Sequence, residues 1–206
     1  MNHCKLYFYY GTMSSAKTLK LLTTAYNFEE NGIPFVVLKS AIDTRDEVGM
    51  VVSRVGLKRE CVMVSPEDDI YSAIDTYVKT YGDLNWVLID ECQFLTEQQV
   101  NQLAHIVDNL GINVMCFGLR TDFQSKLFVG SKRLFELADT IEEVKSRCSC
   151  GRKTSINARF NKDKEIVLNG DQIMVGGNDI YKPLCRKCWS KLVDNSYESL
   201  QGNSIL

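Results

Sequence analysis

Residues 11 to 18 read GTMSSAKT. They sit between a short β-prone run, Lys5 to Tyr10, and an Ala/Leu-rich stretch of helical spacing from about Ser15 to Glu30, which ends near Asn31-Gly32. Strand, glycine loop and helix in that order let backbone N–H groups converge on an anion at a helix N-terminus. Gly11 stands where the chain leaves the strand, Lys17 where a side chain reaches β- and γ-phosphates, and Thr18 where a hydroxyl meets Mg²⁺. Thr12, Met13, Ser14 and Ser15 form the loop between them. Ala16 departs from the pattern, which carries a second glycine there; its methyl fits only if φ stays negative and no phosphate presses on Cβ. The competing reading is an ordinary strand-to-helix turn with a chance lysine, which the flanking strand and helix disfavour.

A loop of this kind belongs to a parallel sheet, and the chain downstream fits one. Apolar runs recur at Phe35 to Leu38, Cys61 to Val64, Trp86 to Ile89 and Ile112 to Phe117, and residues 67 to 80 and 96 to 109 between them have helical patterning. Strands apolar along their whole length, alternating with helices, predict an α/β fold: a P-loop NTPase sheet of the RecA-like kind with helices on both faces. The 206 residues, 45% of them hydrophobic, suffice for one such domain and a small appendage. No apolar run reaches the roughly 18 residues of a membrane span, and the N-terminus lacks a signal-peptide pattern, so a cytoplasmic protein without membrane partners is expected.

Net charge is −2, but it is unevenly spread: residues 1 to 144 hold 13 Lys/Arg against 20 Asp/Glu, while residues 145 to 191 hold 11 against 4. The shift marks a boundary near residue 145. It predicts a nucleotide-binding domain over 1–144, a second unit over 145–193 and a loose polar tail over 194–206. The basic segment suits a phosphorylated ligand better than nucleic acid, for which a chain of this net charge offers little attraction.

The second half of a phosphate site is an acid at the end of another buried strand, and Trp86-Val87-Leu88-Ile89 leads into Asp90 and Glu91. Asp90 is placed to hold Mg²⁺ through water. Glu91 can take a proton from the attacking group, and whether that group is water or a substrate hydroxyl separates an ATPase from a kinase. The run Asp90, Glu91, Cys92 and Gln93 joins residues 11 to 18 as the nucleotide-binding set. Neither histidine serves as a base: His3 lies at the terminus and His105 in a helical stretch.

Four of the eight cysteines, Cys4, Cys61, Cys92 and Cys116, lie singly in apolar segments, where reduced thiols act as small hydrophobes. The others form two tight pairs, Cys148-Ser149-Cys150 and Cys185-Arg186-Lys187-Cys188. Four thiolates in two pairs make a closed tetrahedral Zn²⁺ site, structural rather than catalytic; two disulfides are the alternative.

Strand-GTMSSAKT-helix, LIDECQFL (88 to 95), CFGLRTDF (116 to 123) and GGNDIYKPLCRKC (176 to 188) together resemble the zinc-containing, cytosolic thymidine kinase family, in order from about residue 5 to 190. Gly177, Asp179, Tyr181, Cys185 and Cys188 fit its most specific motif. The resemblance implies an enzyme of nucleotide salvage and DNA synthesis, transferring the γ-phosphate of ATP to the 5′-hydroxyl of deoxythymidine, with deoxyuridine secondary. It implies that Glu91 is the general base and that Phe128 stacks on the thymine ring. Gln172, Ile173, Met174, Val175 and Gly176, with Tyr181, would form a lasso folded over the nucleoside, and Asp43 and Arg45 a D-x-R pair near the phosphates. It further implies a homotetramer under feedback by deoxythymidine triphosphate. A nucleic-acid-stimulated ATPase and a zinc-stabilised nucleotide-binding regulator are the rival readings; the first needs a second motor domain that 206 residues do not hold.

Overall fold

The computed structural model of the chain describes residues 3–45, 47–173 and 180–202. Its first strand, β1 (Leu6–Gly11), sets the layers: Leu6 and Phe8 enter one core, Tyr9 the other. Around it run α1 (Lys17–Glu30), β2 (Phe35–Ser40), β3 (Met50–Val52), β4 (Lys58–Glu60), β5 (Val62–Val64), α2 (Ile70–Tyr81) and β6 (Trp86–Asp90). A 3-10 turn at Cys92–Phe94 leads to α3 (Glu97–Leu110), β7 (Asn113–Leu119), α4 (Val129–Leu137) and β8 (Thr140–Glu143).

Six of these strands form a wholly parallel sheet in the order β5-β2-β6-β7-β1-β8. Leu21, Leu22 and Ala25 of α1 cover one face against Tyr9, Leu88 and Phe117. The apolar stripes of α2, α3 and α4 cover the other against Leu6, Phe8 and Val87. Each fully buried Leu or Phe in these layers stabilises by about 1.5–3 kcal/mol. The expected parallel sheet with helices on both faces is what forms. Its local signals are sound too: Thr96 and Gln99 build a reciprocal capping box at the start of α3.

β3 and β4 form a separate two-stranded hairpin that the apolar pattern did not announce. It is bound to the main body at its base, where Lys39 Nζ donates to Met50 O at 3.3 Å and Arg59 pairs with Glu29 of α1 while lying over the Phe35 ring.

Beyond Val144 the chain builds a three-stranded antiparallel sheet, order β10-β9-β11, from β9 (Ile156–Phe160), β10 (Ile166–Val167) and β11 (Tyr181–Leu184). Its small core gathers Ala158, Leu184, Phe160 and Trp189 around the cysteine cluster. The last element, α5, spans Arg186–Gly202. Of the stretch 194–206, expected as a loose tail, residues 194–202 belong to α5, and 203–206 lie outside the described residues. Among the described residues, no helix is long and apolar enough to cross a membrane.

Candidate active site

The loop at residues 11 to 18 is held in shape by its own lysine. Lys17 Nζ, buried, donates to Thr12 O at 2.8 Å and to Ser15 Oγ at 3.4 Å. Burial pushes its pKa down, while Glu91 and Asp90 pull the other way. Gly11 is required for space: a Cβ there would meet Val144 O at 2.5 Å. Ala16 does not keep a negative φ as expected. It lies at φ 64°, ψ 26° as the N-cap of α1, and Ser14 at φ 62° is left-handed as well. The loop takes the shape that amides curled round an anion need, and two non-glycine residues carry the strain.

Two strands away, β6 ends on Asp90, which accepts from Thr18 Oγ1 at 3.2 Å. Burial, with Glu91 beside it, raises the Asp90 carboxyl to about 7. A hydroxyl and a carboxylate in contact at the mouth of the loop are hard oxygen donors that fit Mg²⁺.

Glu91 turns out of the strand in the left-handed region, φ 52°. Its carboxylate is held from both sides: Arg45 Nη2 donates to Oε1 at 2.5 Å and Gln93 Nε2 to Oε2 at 2.5 Å. Arg45 also donates from Nε to Asp43 Oδ1 at 2.5 Å, and Lys39 Nζ pairs with Asp43 Oδ2 at 3.1 Å. Burial alone would raise the Asp43 carboxyl, but Arg45 and Lys39 outweigh it and hold the group below its ordinary value. For Arg45, burial is likewise outweighed by Glu91 and Asp43, which raise its pKa.

Glu91, Arg45, Met13 and Leu119 lie on the boundary of two cavities. One runs along the loop past Ser14, Ser15, Ala16, Lys17, Thr18 and Asp90. The other is lined by Phe94, Thr121, Asp122, Phe123, Phe128, Asn157, Gln172, Ile173 and Tyr181, with Asp43 and Gln93 at its polar end. Phe94 and Phe128 meet edge to face, centroids 5.8 Å apart. Gly130 makes this possible, since a Cβ there would strike Cys92 O at 2.6 Å and push α4 off the 3-10 turn. Gln172 Nε2 donates to Asp122 Oδ2 at 2.9 Å.

The sequence-based residues thus divide. Lys17, Thr18, Asp90 and Glu91 converge, Phe128 and Tyr181 share the second cavity with Gln172 and Ile173, and Asp43 with Arg45 joins the two groups. Cys92 does not belong with them: its side chain is fully buried in the core below the sheet. Gln93 lines the aromatic cavity rather than the loop's, and Met174, Val175 and Gly176 lie outside the described residues. Sequence reasoning missed Asn157 and Thr154, which bind the loop to β9: Asn157 Oδ1 accepts from Met13 N at 2.8 Å, and Thr154 Oγ1 meets Thr12 Oγ1 at 2.8 Å. No local signal marks them, because their partners are more than 140 positions away.

Cys148, Cys150, Cys185 and Cys188 bring their Sγ atoms within 4.8 Å of one another. All four are free, and the Cys150 and Cys185 sulfurs stand 3.5 Å apart, beyond any disulfide. Backbone N–H groups of Cys150 and Cys185 hold the Cys148 thiol low, at about 6. Four soft donors so grouped fit a tetrahedral Zn²⁺ cage, in which sulfurs are about 3.8 Å apart.

A nucleotide loop that shares one oriented carboxylate with a second, aromatic-lined pocket has a place for a phosphate donor and an acceptor side by side, the requirement of a P-loop kinase. Residues 4–189 match the family described as thymidine kinase, and the chain belongs to that family. A thymidine kinase of Streptococcus agalactiae serotype Ia is 50% identical over 185 residues, 89% of this chain and 95% of that one. One of Streptococcus pyogenes serotype M3 is 48% identical over the same shares. Among solved structures, the genome packaging NTPase B204 from Sulfolobus turreted icosahedral virus 2 is similar at a TM-score of 0.47 and 15% identity, covering 73% of this chain and 78% of that one.

Proposed function

We propose that this site transfers the γ-phosphate of ATP to the 5′-hydroxyl of deoxythymidine, with deoxyuridine as a secondary acceptor, in pyrimidine deoxynucleotide salvage. The observation that carries the reading is Glu91, oriented by Arg45 and Gln93 at the junction of the two cavities. Each of its oxygens keeps a free lone pair beyond the bond it already accepts. A nucleoside stacked on Phe128, its 5′ end toward Glu91, would give its hydroxyl proton to that carboxylate as the oxygen attacks the γ-phosphorus.

The loop amides and Lys17 bind the β- and γ-phosphates. Thr18 and Asp90 hold Mg²⁺, which neutralises charge on the phosphates. Phe128 stacks on the base, and Gln172, Ile173 and Tyr181 close over it. The four cysteines hold Zn²⁺ and fix this cover to the body, which assigns 1–144 to nucleotide binding and 145–193 to the substrate lid. As the family resemblance implies, the enzyme works in the cytoplasm as a homotetramer inhibited by deoxythymidine triphosphate. That inhibitor carries the acceptor's base and a donor's phosphates, the two parts assigned to the adjoining cavities.

The test is transfer of radiolabelled phosphate from ATP to deoxythymidine, run beside ATP hydrolysis with single-stranded DNA. Thymidine monophosphate is the expected product. Hydrolysis stimulated by DNA with no monophosphate formed would overturn the assignment.

A further inference from the structure

The two faces of β9 serve different parts of the molecule. Strand alternation sends Ala158 and Phe160 into the cysteine core, while Asn157 and Arg159 face the cavities. Asn157 holds the phosphate loop through Met13 N. Arg159, only 3% exposed, reaches the other side of the site. Its guanidinium carbon lies 3.6 Å from the centre of the Phe123 ring, and Phe123 lines the aromatic cavity. From the edge of that plane Nη1 donates to Asp171 O at 2.9 Å and Nη2 to Asn169 O at 3.3 Å.

Those two carbonyls belong to the segment that leads into the cavity's cover. Gly170, between them, has φ 134°, and a Cβ there would collide with Arg159 Nη2, so backbone and guanidinium fit each other closely. Gln124, next to Phe123, donates from Nε2 to Leu168 O at 3.0 Å. Side chains thus tie residues 168, 169 and 171 to β9 and to the turn that carries Phe123. Gln172 follows at once, lines the aromatic cavity, and donates to Asp122 Oδ2 at 2.9 Å and to Leu127 O at 3.3 Å. An arginine suits this task where a lysine does not: its plane stacks on a ring while its rigid fork meets two acceptors.

We propose that Arg159 is a positioning residue for the nucleoside, clamping residues 169–171 beside Phe123 and thereby setting Gln172 and one aromatic wall of the acceptor cavity. It touches no reacting atom and moves no proton. Its effect falls on acceptor binding, and the phosphate loop is held separately by Asn157. The role rests on the assignment of this cavity to the acceptor.

Arg159→Lys keeps the charge and loses the plane and the fork. In the kinase assay it should raise KM for deoxythymidine about tenfold, with KM for ATP and kcat within about twofold of normal. Gly170→Ala, which leaves Arg159 in place but pushes the segment off it, should give the same split. General damage to β9 would raise both KM values, because Asn157 and Thr154 join this part of the chain to the phosphate loop, and that result would overturn the proposal. So would a normal KM for deoxythymidine in Arg159→Lys. Hydrogen exchange of the ligand-free chain tests the clamp without turnover. Amides of residues 168–172 should exchange about tenfold faster in Arg159→Lys, and those of residues 11–18 at the unaltered rate. Unchanged exchange at 168–172 would overturn the clamp. If the unaltered chain makes no thymidine monophosphate, the acceptor assignment falls, and the exchange rates still decide whether Arg159 holds the segment.

Discussion

Ala16 holds a left-handed backbone where glycine would rest without strain, at φ 64°. An alanine there costs about 1–2 kcal/mol, and glycine's greater freedom in the unfolded chain returns about 0.4–1 kcal/mol of that. Ala16→Gly should therefore raise Tm by about 1–3 °C with kinase activity kept, measured by a thermal melt and the transfer assay. Glu91 is set by chemistry instead. Glu91→Gln keeps the shape and an acceptor for Arg45 but cannot take a proton, so turnover should fall about 10²- to 10⁴-fold while titration shows ATP binding retained. Asp43 lies behind both. Its side chain is 1% exposed and that of its partner Lys39 2%, so Asp43→Asn leaves a buried cation facing a neutral amide. A loss of about 3–5 kcal/mol in urea denaturation at pH 7 is expected. The pH dependence has a definite sign: a carboxyl held below its ordinary value contributes fully above about pH 4, and the contribution is lost as pH falls through the depressed value. The unaltered chain should thus lose stability faster than Asp43→Asn over that acid range.

Elements differ in how far the chain alone declares them. β1, β2, β6 and β7 were legible because strands buried on two faces must be apolar throughout, and α1 and α3 because their stripes repeat at helical spacing. The loop and Glu91 followed from those elements, since a glycine loop and an acid acquire meaning only at strand ends. The β3–β4 hairpin and α4 escaped, for physical reasons. Val51 is the hairpin strands' one fully buried apolar residue, and α4 is short with Leu134 as its main core anchor. β9 escaped for another reason: its residues are buried by partners far along the chain, with Asn157 under the loop and Ala158 against the cysteine cluster. That makes β9 a strut between two sites. Thr154, just before it, lines neither cavity, so Thr154→Val removes the bond to Thr12, together with the one Thr154 Oγ1 donates to Ser146 O at 3.2 Å, without touching a bound substrate. Of the two bonds lost, the one to Thr12 is the one that reaches the loop; it is worth about 1 kcal/mol, and KM for ATP should rise about fivefold with KM for deoxythymidine unchanged. Equal changes in both would mean that β9 supports the whole site rather than the loop.

At the scale of the molecule, the chain after Val144 and the parallel sheet meet at the phosphate loop. Thr12 touches Thr154, Met13 and Thr121 O are bridged by Asn157, and Arg120 donates to Ser155 O at 3.2 Å. The small core behind these contacts, Ala158, Leu184 and Phe160, is too thin to hold three short strands by burial alone, and it closes on the four cysteines. A metal bound there stabilises the same strand that positions the loop, so its effect reaches past the lid. Metal analysis should find about one Zn²⁺ per chain. Its removal with a chelator, followed by exchange into Mg²⁺, should lower Tm and weaken deoxythymidine binding. It should also weaken binding of the β,γ-imido analogue of ATP, whose site holds no zinc ligand, and restored Zn²⁺ should recover both affinities. A zinc-free protein that binds the analogue at full strength while losing deoxythymidine would confine the metal's role to the lid. In that case the contacts at Thr12 and Met13 hold without it.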